Sequence, residues 1–460
     1  MRNTVRRAYV VYALVVAFFV GLLFMSYSYA VNGKRWVTNR VNSHLYVNRQ
    51  LTTAGSVYDR NGNMLVSSKN GKRIYNDSST IRKAVLHCVG DTEGYISTGV
   101  QSVYRPYLIG YDFVNGVYNV VKNKAGNDIT LTIDANVCRT AYEALGSNKG
   151  AVGVYNYKTG EVVCMVSTPT YDPINKPSAS ELQSSRYEGV YINRFLTGIF
   201  TPGSTFKTVT SISALENISG VEKQEFKCEG SYSVGSDKIN CFGKNVHGNL
   251  TLQTALNQSC NGYFADLAIK LGAQNLLTTA EKLGFNKEIT ACGVKLMKSR
   301  YSTNKKPSKV DLGWAGVGQA ETLANPCHMM MIAGAIANGG EAVTPHLVKG
   351  TSSSTVFSSL ESKPSSQIKI DSSIASQMKK LMRSNVKDCY SDSRFPGLEM
   401  CGKTGSAERE NDKPHGWFLG FSQRSDLPYA VVVVVENGGM ASSVAIPIAA
   451  KVMAAVDRAF

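Results

Sequence analysis

Three short segments hold residue types that can carry out acyl transfer. In Thr201-Pro-Gly-Ser-Thr-Phe-Lys-Thr208, Ser204 and Lys207 stand three apart where a helix begins. Residues at that spacing share a helix face, so the lysine amine can reach the serine hydroxyl. Pro202-Gly203 supplies a turn ahead of them, and a helix N-terminus offers free backbone N–H groups and the positive end of the dipole. A nucleophile needs such a base beside it and such donors for an oxyanion. The second segment is Ser259-Cys260-Asn261, interrupting a helical region that resumes at Gly262. The third is Lys403-Thr404-Gly405-Ser406, early in an edge-like strand and preceded by Gly402. Small residues there let a substrate backbone lie against the strand while the lysine faces an anionic group.

Each pattern alone is weak. Ser-x-x-Lys recurs at Ser302, Ser366, Ser376 and Ser384, Ser-x-Asn recurs at Ser68 and Ser302, and Lys158-Thr159-Gly160 duplicates the third triplet. That earlier triplet lies between two apolar strands and ahead of Ser204, so a hairpin turn explains it. The elements that must position the three segments follow from patterning. A strand at Ile129 to Ile133 leads into a helical segment from Ala135 to Leu145, then two strands, Gly150 to Asn156 and Glu161 to Ser167. Helices dominate next, at Ser204 to Asn217, Leu252 to Leu271 and Leu323 to Asn338. Thr351 to Ser366 reads as a solvent loop. The chain then returns to β at Glu399 to Ala407, Gly416 to Ser422 and Tyr429 to Glu436, and closes on a helix from Ser443 to Arg458. Strands at both ends with helices inserted between them imply an α+β sheet whose first and last strands meet. Residues 34 to 127 show short β-like runs, Gly55 to Tyr58 and Met64 to Ser67, separated by Asn/Gly turns, as in a small separate module.

Lysine and arginine outnumber aspartate and glutamate by 50 to 34, a net charge of +16. Arg2, Arg6, Arg7, Lys34, Arg35, Arg40 and Arg49 all precede the first acidic residue, Asp59, and flank an uncharged run from Ala8 to Gly33. About 20 apolar residues span a bilayer, so this run is expected to be a retained membrane anchor; Ser28-Tyr29-Ala30 offers a cleavable signal as the rival. The remaining excess forms no dense basic block interleaved with aromatics, which argues against nucleic acid as a partner. The ten cysteines are scattered singly, with no Cys-x-x-Cys and no His-Glu-x-x-His. A zinc ribbon, a redox pair and a zincin centre are therefore poorly supported, and no metal site is expected. Cys228 and Cys241 flank a short segment that could be a disulfide-stapled hairpin, with two reduced thiols equally open. Cys260 is expected to pack, His247 and His415 to be structural, Met329 to Met331 to be helix core, and Asp59 and Arg60 to serve a folded ion pair.

Taken in order, Ser204-x-x-Lys207, Ser259-x-Asn261 and Lys403-Thr404-Gly405 reproduce the established signature of penicillin-binding proteins and class A β-lactamases. The chain resembles a class B penicillin-binding protein over nearly everything after the anchor. Further matches are Gly55-Ser-Val-Tyr-Asp59-Arg60-Asn-Gly62, Leu131-Thr-Ile-Asp134, Asn193-Arg194, His247-Gly248, Gly316-Val-Gly318-Gln319, Ala337-Asn338-Gly339-Gly340 and His415-Gly-Trp417-Phe-Leu-Gly420. Three departures are mild: Cys260 in the middle of the second motif, Ser406 where Thr is commoner, and a short amino-terminal module.

The resemblance implies a penicillin-binding/serine β-lactamase-like fold, with an antiparallel sheet flanked by helices and an all-helical subdomain. It implies a tail and anchor over 1–33, a mixed α/β pedestal over 34–127 and a transpeptidase domain over 128–460, the last outside a bacterial cell membrane crossed once. The activity implied is peptidoglycan D,D-transpeptidation through a serine acyl-enzyme, with β-lactams acylating the same serine. Ser204 would be nucleophile, Lys207 its base and Ser259 a proton relay. Asn261 would hold a substrate amide, Lys403 and Thr404 the terminal carboxylate, and the N–H groups of Ser204 and Ser406 the oxyanion, beside Gly405. Stem peptides ending in D-Ala-D-Ala, an amine acceptor and a membrane-embedded glycan polymerase are the implied partners, with no cofactor. A D,D-carboxypeptidase, a β-lactamase or a β-lactam sensor shares the motifs; length and the amino-terminal module favour the transpeptidase.

Overall fold

The computed structural model describes residues 2–39, 46–47, 50–51, 54–70, 72–111, 126–302, 306–351, 368–409 and 412–460. The Ser-rich stretch expected as a solvent loop lies, beyond Thr351, outside the described residues. The central sheet has five antiparallel strands, β1 Gly150–Asn156, β2 Val162–Thr168, β3 Met400–Arg409, β4 Asp412–Ser422 and β5 Tyr429–Val435, ordered β3-β4-β5-β1-β2. The first and last strands meet as expected, Val432 opposite Gly153. Strand β5 is Tyr-Ala-Val-Val-Val-Val-Val and buried throughout, the composition a strand needs when both faces are covered. The duplicate triplet Lys158-Thr159-Gly160 is the β1–β2 turn, where Asn156 Oδ1 accepts from the N–H groups of Lys158 at 2.9 Å and Thr159 at 3.1 Å.

Six helices matter to the site: α1 Ala135–Leu145, α2 Lys207–Asn217, α3 Asn261–Lys282, α4 Lys309–Val317, α5 Pro326–Ala337 and α6 Ala441–Ala459. Tyr155, Ala430 and Phe421 sit side by side across β1, β5 and β4 and share one face. Gly334 of α5 lies against Tyr155 there. Gly416, of opposite parity to Phe421, meets Ala441 and Val444 of α6 on the other face. Helix α1 packs against α6 and β2. Met329, Met330 and Met331 of α5 are buried core, as expected. The α2 to α5 stretch is the helical insertion between β2 and β3, so the architecture is the expected α+β fold.

A second five-stranded sheet joins Val348–Thr351, Ile129–Leu131, Val57–Tyr58, Met64–Lys69 and Lys72–Tyr75 in that spatial order. It draws strands from both sides of residue 127. Asp59 and Arg60 do not pair with each other. Asp59 Oδ1 accepts from the N–H groups of Asn61 and Asn63, and its Oδ2 accepts from Ala135 N at the start of α1. Asn61 donates to Asp134, the cap of α1, at 2.7 Å. Arg60 reaches Glu161 at 3.7 Å and lies over the Phe460 ring. These short polar side chains in a tight turn satisfy local backbone groups, while the longer arginine spans to the neighbouring element. Helix Arg2–Val37 is long and apolar enough to cross a membrane, with none of its apolar window buried.

Candidate active site

Ser204 lies on one 3-10 turn, Gly203–Phe206, that runs directly into α2. The turn is held from three sides. Phe206 is buried against Phe285 and Tyr301 at 5.4 Å between ring centres. Gly203 donates to Gly318 O at 3.0 Å, which gives the Gly316-Val-Gly318-Gln319 segment its place. Trp417 of β4 donates to Thr201 O at 3.1 Å. Gly203 has φ +52° and lies against Ala407, a left-handed conformation in which a side chain would be strained.

Lys207 opens α2 and is fully buried. Its Nζ contacts Ser259 O at 2.6 Å, Asn261 Oδ1 at 2.8 Å and Ser259 Oγ at 3.3 Å. Among the described residues its hydrogen bonds thus go to the second motif and not to Ser204, although spacing alone allowed either. Lys403, also fully buried, donates to the same Ser259 Oγ at 3.0 Å. Burial, and then the charge of Lys403, push the Lys207 amine well below the ordinary lysine value of 10.5. Proton accounting agrees with a neutral amine. It has two hydrogens, which the two carbonyl oxygens occupy, and its lone pair is then free for a hydroxyl.

Ser259 has φ +54°, uncommon for a residue with a side chain. The turn between Leu252–Asn257 and α3 sets this conformation: Ser259 N donates to Leu256 O and Cys260 N to Ala255 O. Asn261 opens α3, accepts from Lys207 and donates to Asn240 O at 2.9 Å.

The third motif lies on the edge strand β3, and its pleat sorts the side chains. Lys403 and Gly405 point toward the Ser204 turn and the second motif. Thr404 and Ser406 alternate to the opposite face of the strand, where they border the open cleft and Ser406 Oγ accepts from Ala441 N at the start of α6. A Cβ at Gly405 would come within 2.6 Å of Pro202 O. Gly405→Ala is therefore expected to push β3 off the nucleophile turn, costing about 1–3 kcal/mol of stability. Thermal unfolding together with the penicillin acylation rate checks it; an unchanged rate would show that this close contact does not set the site.

One cleft of ≈ 210 Å³ joins the three segments. Ser204, Ser259, Asn261, Thr404 and Ser406 line it, with Gln319, Trp314, Phe242, Asn245, His247, Gln258, Val317 and Met440. Lys207, Lys403 and Gly405 lie behind that lining. No carboxylate lines the cleft among the described residues, and the two buried lysines meet at Ser259 Oγ behind it. Sequence reasoning missed Tyr390. Its hydroxyl lies 2.9 Å from Thr404 Oγ1 and accepts from Thr404 N at 3.1 Å. No local pattern marks it, since Tyr390 ends a separate π-helical turn, Asn385–Tyr390.

The cysteines also depart from the expected scatter. Cys228, Cys241, His247 and Cys260 converge, their ligand atoms all within 4.8 Å of one another. Spacings of this kind carry no Cys-x-x-Cys signal; two hairpins and the start of α3 make the cluster. Cys228 and Cys241 are not bridged, their sulfurs being 3.7 Å apart. His415 plays the structural part expected, accepting from Asn437 N at 3.0 Å.

Residues 150–454 match the family described as the penicillin binding protein transpeptidase domain. The peptidoglycan D,D-transpeptidase PbpA of Mycolicibacterium smegmatis is 26% identical over 381 residues, which cover 75% of this chain and 76% of that protein. The solved D,D-transpeptidase domain of a peptidoglycan glycosyltransferase from Eggerthella lenta superimposes with a TM-score of 0.74 at 26% identity, covering 89% of this chain and 99% of that one. Penicillin-binding protein A of M. tuberculosis, solved as a ceftriaxone acyl-enzyme complex, shares the fold with a TM-score of 0.78 at 23% identity over 88% of this chain and 98% of that one. With two thirds of its length matched to that domain and the three motifs gathered on one cleft, the chain belongs to the class B penicillin-binding proteins.

Proposed function

We propose that this chain is a peptidoglycan D,D-transpeptidase that works through an acyl-enzyme on Ser204 and is acylated there by β-lactams. The observation that carries the reading is the sharing of Ser259 Oγ by Lys207 and Lys403 on the cleft that holds Ser204. Ser204 Oγ attacks the carbonyl of the penultimate D-alanine, and its proton passes to the neutral Lys207 amine. With Lys403 and Lys207 at its lone pairs, Ser259 can turn its own O–H to the leaving nitrogen. The C–N bond breaks, D-alanine departs with that proton, and Lys207 restores the proton to Ser259. The amine of a second stem peptide then attacks the ester, forms the new amide and returns Ser204 to its hydroxyl.

Thr404 N faces away from β4, because it donates to Tyr390. By the two-residue repeat Ser406 N faces the same way, toward the cleft, where it can join Ser204 N as an oxyanion donor. One such donor is worth about 3 kcal/mol in acyl-transfer enzymes. Thr404 meets the terminal carboxylate with the Lys403 charge behind it, Asn261 takes a substrate amide, and Gly405 keeps the strand close. Tyr390→Phe is expected to raise KM or lower the acylation efficiency about 5–10-fold, the worth of one hydrogen bond, with little change in Tm. Steady-state kinetics decide it; an unchanged efficiency would remove Tyr390 from substrate positioning.

The apolar helix is read as a single anchor in the bacterial cell membrane. Arg2, Arg6 and Arg7 before it favour a cytoplasmic amino terminus, leaving outside the transpeptidase domain and a pedestal whose sheet runs past residue 127 to take in Ile129–Leu131 and Val348–Thr351. A membrane-embedded glycan polymerase would supply the strands. Transferase and hydrolase separate when a stem pentapeptide is supplied with and without an amine acceptor. D-alanine release with an acceptor-dependent cross-linked product is expected; product that ignores the acceptor would make the protein a carboxypeptidase.

A further inference from the structure

We propose that the basic ribbon from Lys287 to Arg300 docks on anionic phospholipid headgroups beside the membrane anchor and thereby sets how the catalytic domain stands on the bilayer. The inference rests on the reading of helix Arg2–Val37 as that anchor. The ribbon is built on the pairing of Thr290–Ala291 with Val294–Lys295. Two further hydrogen bonds extend it: Leu296 N donates to Ile289 O at 2.9 Å and Asn286 N to Ser299 O at 2.8 Å. Counting inward from those two bonds sets Lys287 across from Lys298. Like charges facing each other across paired strands are destabilising, and the ribbon's one carboxylate, Glu288, is taken by Lys295 at 2.7 Å. Lys287, Lys295, Lys298 and Arg300 are all exposed. From Lys287 to Lys309 the sequence holds seven cations and that single carboxylate, so an external anion is what this surface lacks.

Packing places the ribbon near the bilayer. The outer end of the anchor helix is docked on the pedestal: Gly33 and Thr38 are buried, and Gly33 lies against the Tyr111 hydroxyl. Lys34, Arg35 and Trp36 beside them are exposed, the residue types that settle at a membrane–water interface, so Tyr111 sits at headgroup level. The helical turn Arg105–Leu108 leads back from Tyr111 to Tyr104, roughly 10 Å at helical rise. Gly293, at the tip of the ribbon, packs on the Tyr104 hydroxyl. The Debye length at physiological salt is about 8 Å, so cations at that separation still feel anionic headgroups. Met297, 43% exposed between Lys295 and Lys298, adds an apolar side chain to the cationic face, a combination that suits a lipid interface better than a soluble polyanion. The aromatic ring at this end, Tyr301, is buried on Phe206 of the Ser204 turn and offers no stacking platform to nucleic acid. That stack also joins the ribbon to the nucleophile turn, so docking sets the height and tilt of the cleft above the membrane.

Full-length protein carrying Met297→Cys in a Cys389→Ser background is labelled with an NBD fluorophore; the other cysteines are buried. It is reconstituted in phosphatidylcholine vesicles, with or without about 30% phosphatidylglycerol, that contain a lipid bearing a nitroxide quencher near its headgroup. Quenching is expected to be at least about 3-fold stronger with phosphatidylglycerol and to vanish at about 1 M salt, where the Debye length is about 3 Å. Lys287→Glu with Lys298→Glu is expected to abolish the difference, while Lys287→Arg with Lys298→Arg keeps it. Penicillin acylation in detergent stays at the wild-type rate in all of these variants, which shows that they fold and separates this inference from the transpeptidase reading. Flotation with phosphatidylcholine vesicles in high salt reads the anchor alone. Protein that does not float overturns the anchor reading and this inference with it, whereas protein that floats without composition-dependent quenching overturns the ribbon contact only. Quenching that survives high salt or the paired glutamate substitutions would overturn the contact too, as would a probe that responds to soluble poly(glycerol phosphate) and not to phosphatidylglycerol.

Discussion

Replacing Ser204 with alanine is expected to abolish covalent labelling by a fluorescent penicillin and to lower D-alanine release by roughly four or more orders of magnitude. Only the serine hydroxyl can form the ester, and water cannot replace it at comparable speed. The fold should not notice the change. Phe206, Gly203 and the Trp417 contact hold the turn, and alanine disturbs none of them, so Tm should match wild type. Ser259→Ala gives the internal comparison: relay is lost but the nucleophile stays, so labelling slows without vanishing. Mass mapping completes the measurement, with the adduct on the peptide containing Ser204. A label that survives in the alanine variant would move the nucleophile elsewhere. Cys260, the nearest thiol in the second motif, is fully buried and faces the cysteine cluster, so it is no ready substitute.

The sequence carried this nucleophile because helix spacing, turn residues and motif order are local or linear properties. The same holds for the sheet: the valine run of β5 and the small residues around Lys403 in β3 declare their burial and edge position without reference to other segments. Helix α1 was expected at Ala135 to Leu145 and is found there, because Asp134 caps it and a glycine follows it. What the sequence could not show is contact between segments far apart along the chain. Tyr390 reaches Thr404 only because the π-helical turn folds back on β3. The cysteine cluster depends on two hairpins docking on α3, and its spacing matches no short zinc motif. Asp59 and Arg60 look like a charge pair when read in line. In three dimensions the first satisfies backbone N–H groups in its turn and at α1, and the second crosses to Glu161. The lysine positions were legible but their geometry was not: Lys207 shares the face of Ser204, yet buried acceptors on the second motif take its hydrogen bonds.

That geometry makes Lys207→Arg the decisive substitution for the proton chemistry. Arginine keeps a positive charge and hydrogen-bond donors near Ser259 O and Asn261 Oδ1, but it does not deprotonate in proteins. If Lys207 served only as a structural cation, arginine would preserve much of the activity. As a base that must first be neutral, it cannot be replaced, and acylation by penicillin should fall by about 10³-fold or more. The pH profile separates this from a packing defect. In the wild type the neutral amine is the active form, so acylation rises with pH through the Lys207 pKa and then levels off. Burial and Lys403 place that rise well below the ordinary lysine value of 10.5. The arginine variant should lack the rise altogether and stay uniformly slow, whereas a variant damaged only in packing would keep the wild-type limb at reduced height. Lys207→Met adds the control without charge. It removes the amine and leaves Ser259 O and Asn261 Oδ1 without their donor, so it should be as slow as arginine although it places no second charge beside Lys403. If arginine proved fast and methionine slow, charge at this position would matter and proton transfer through Lys207 would not.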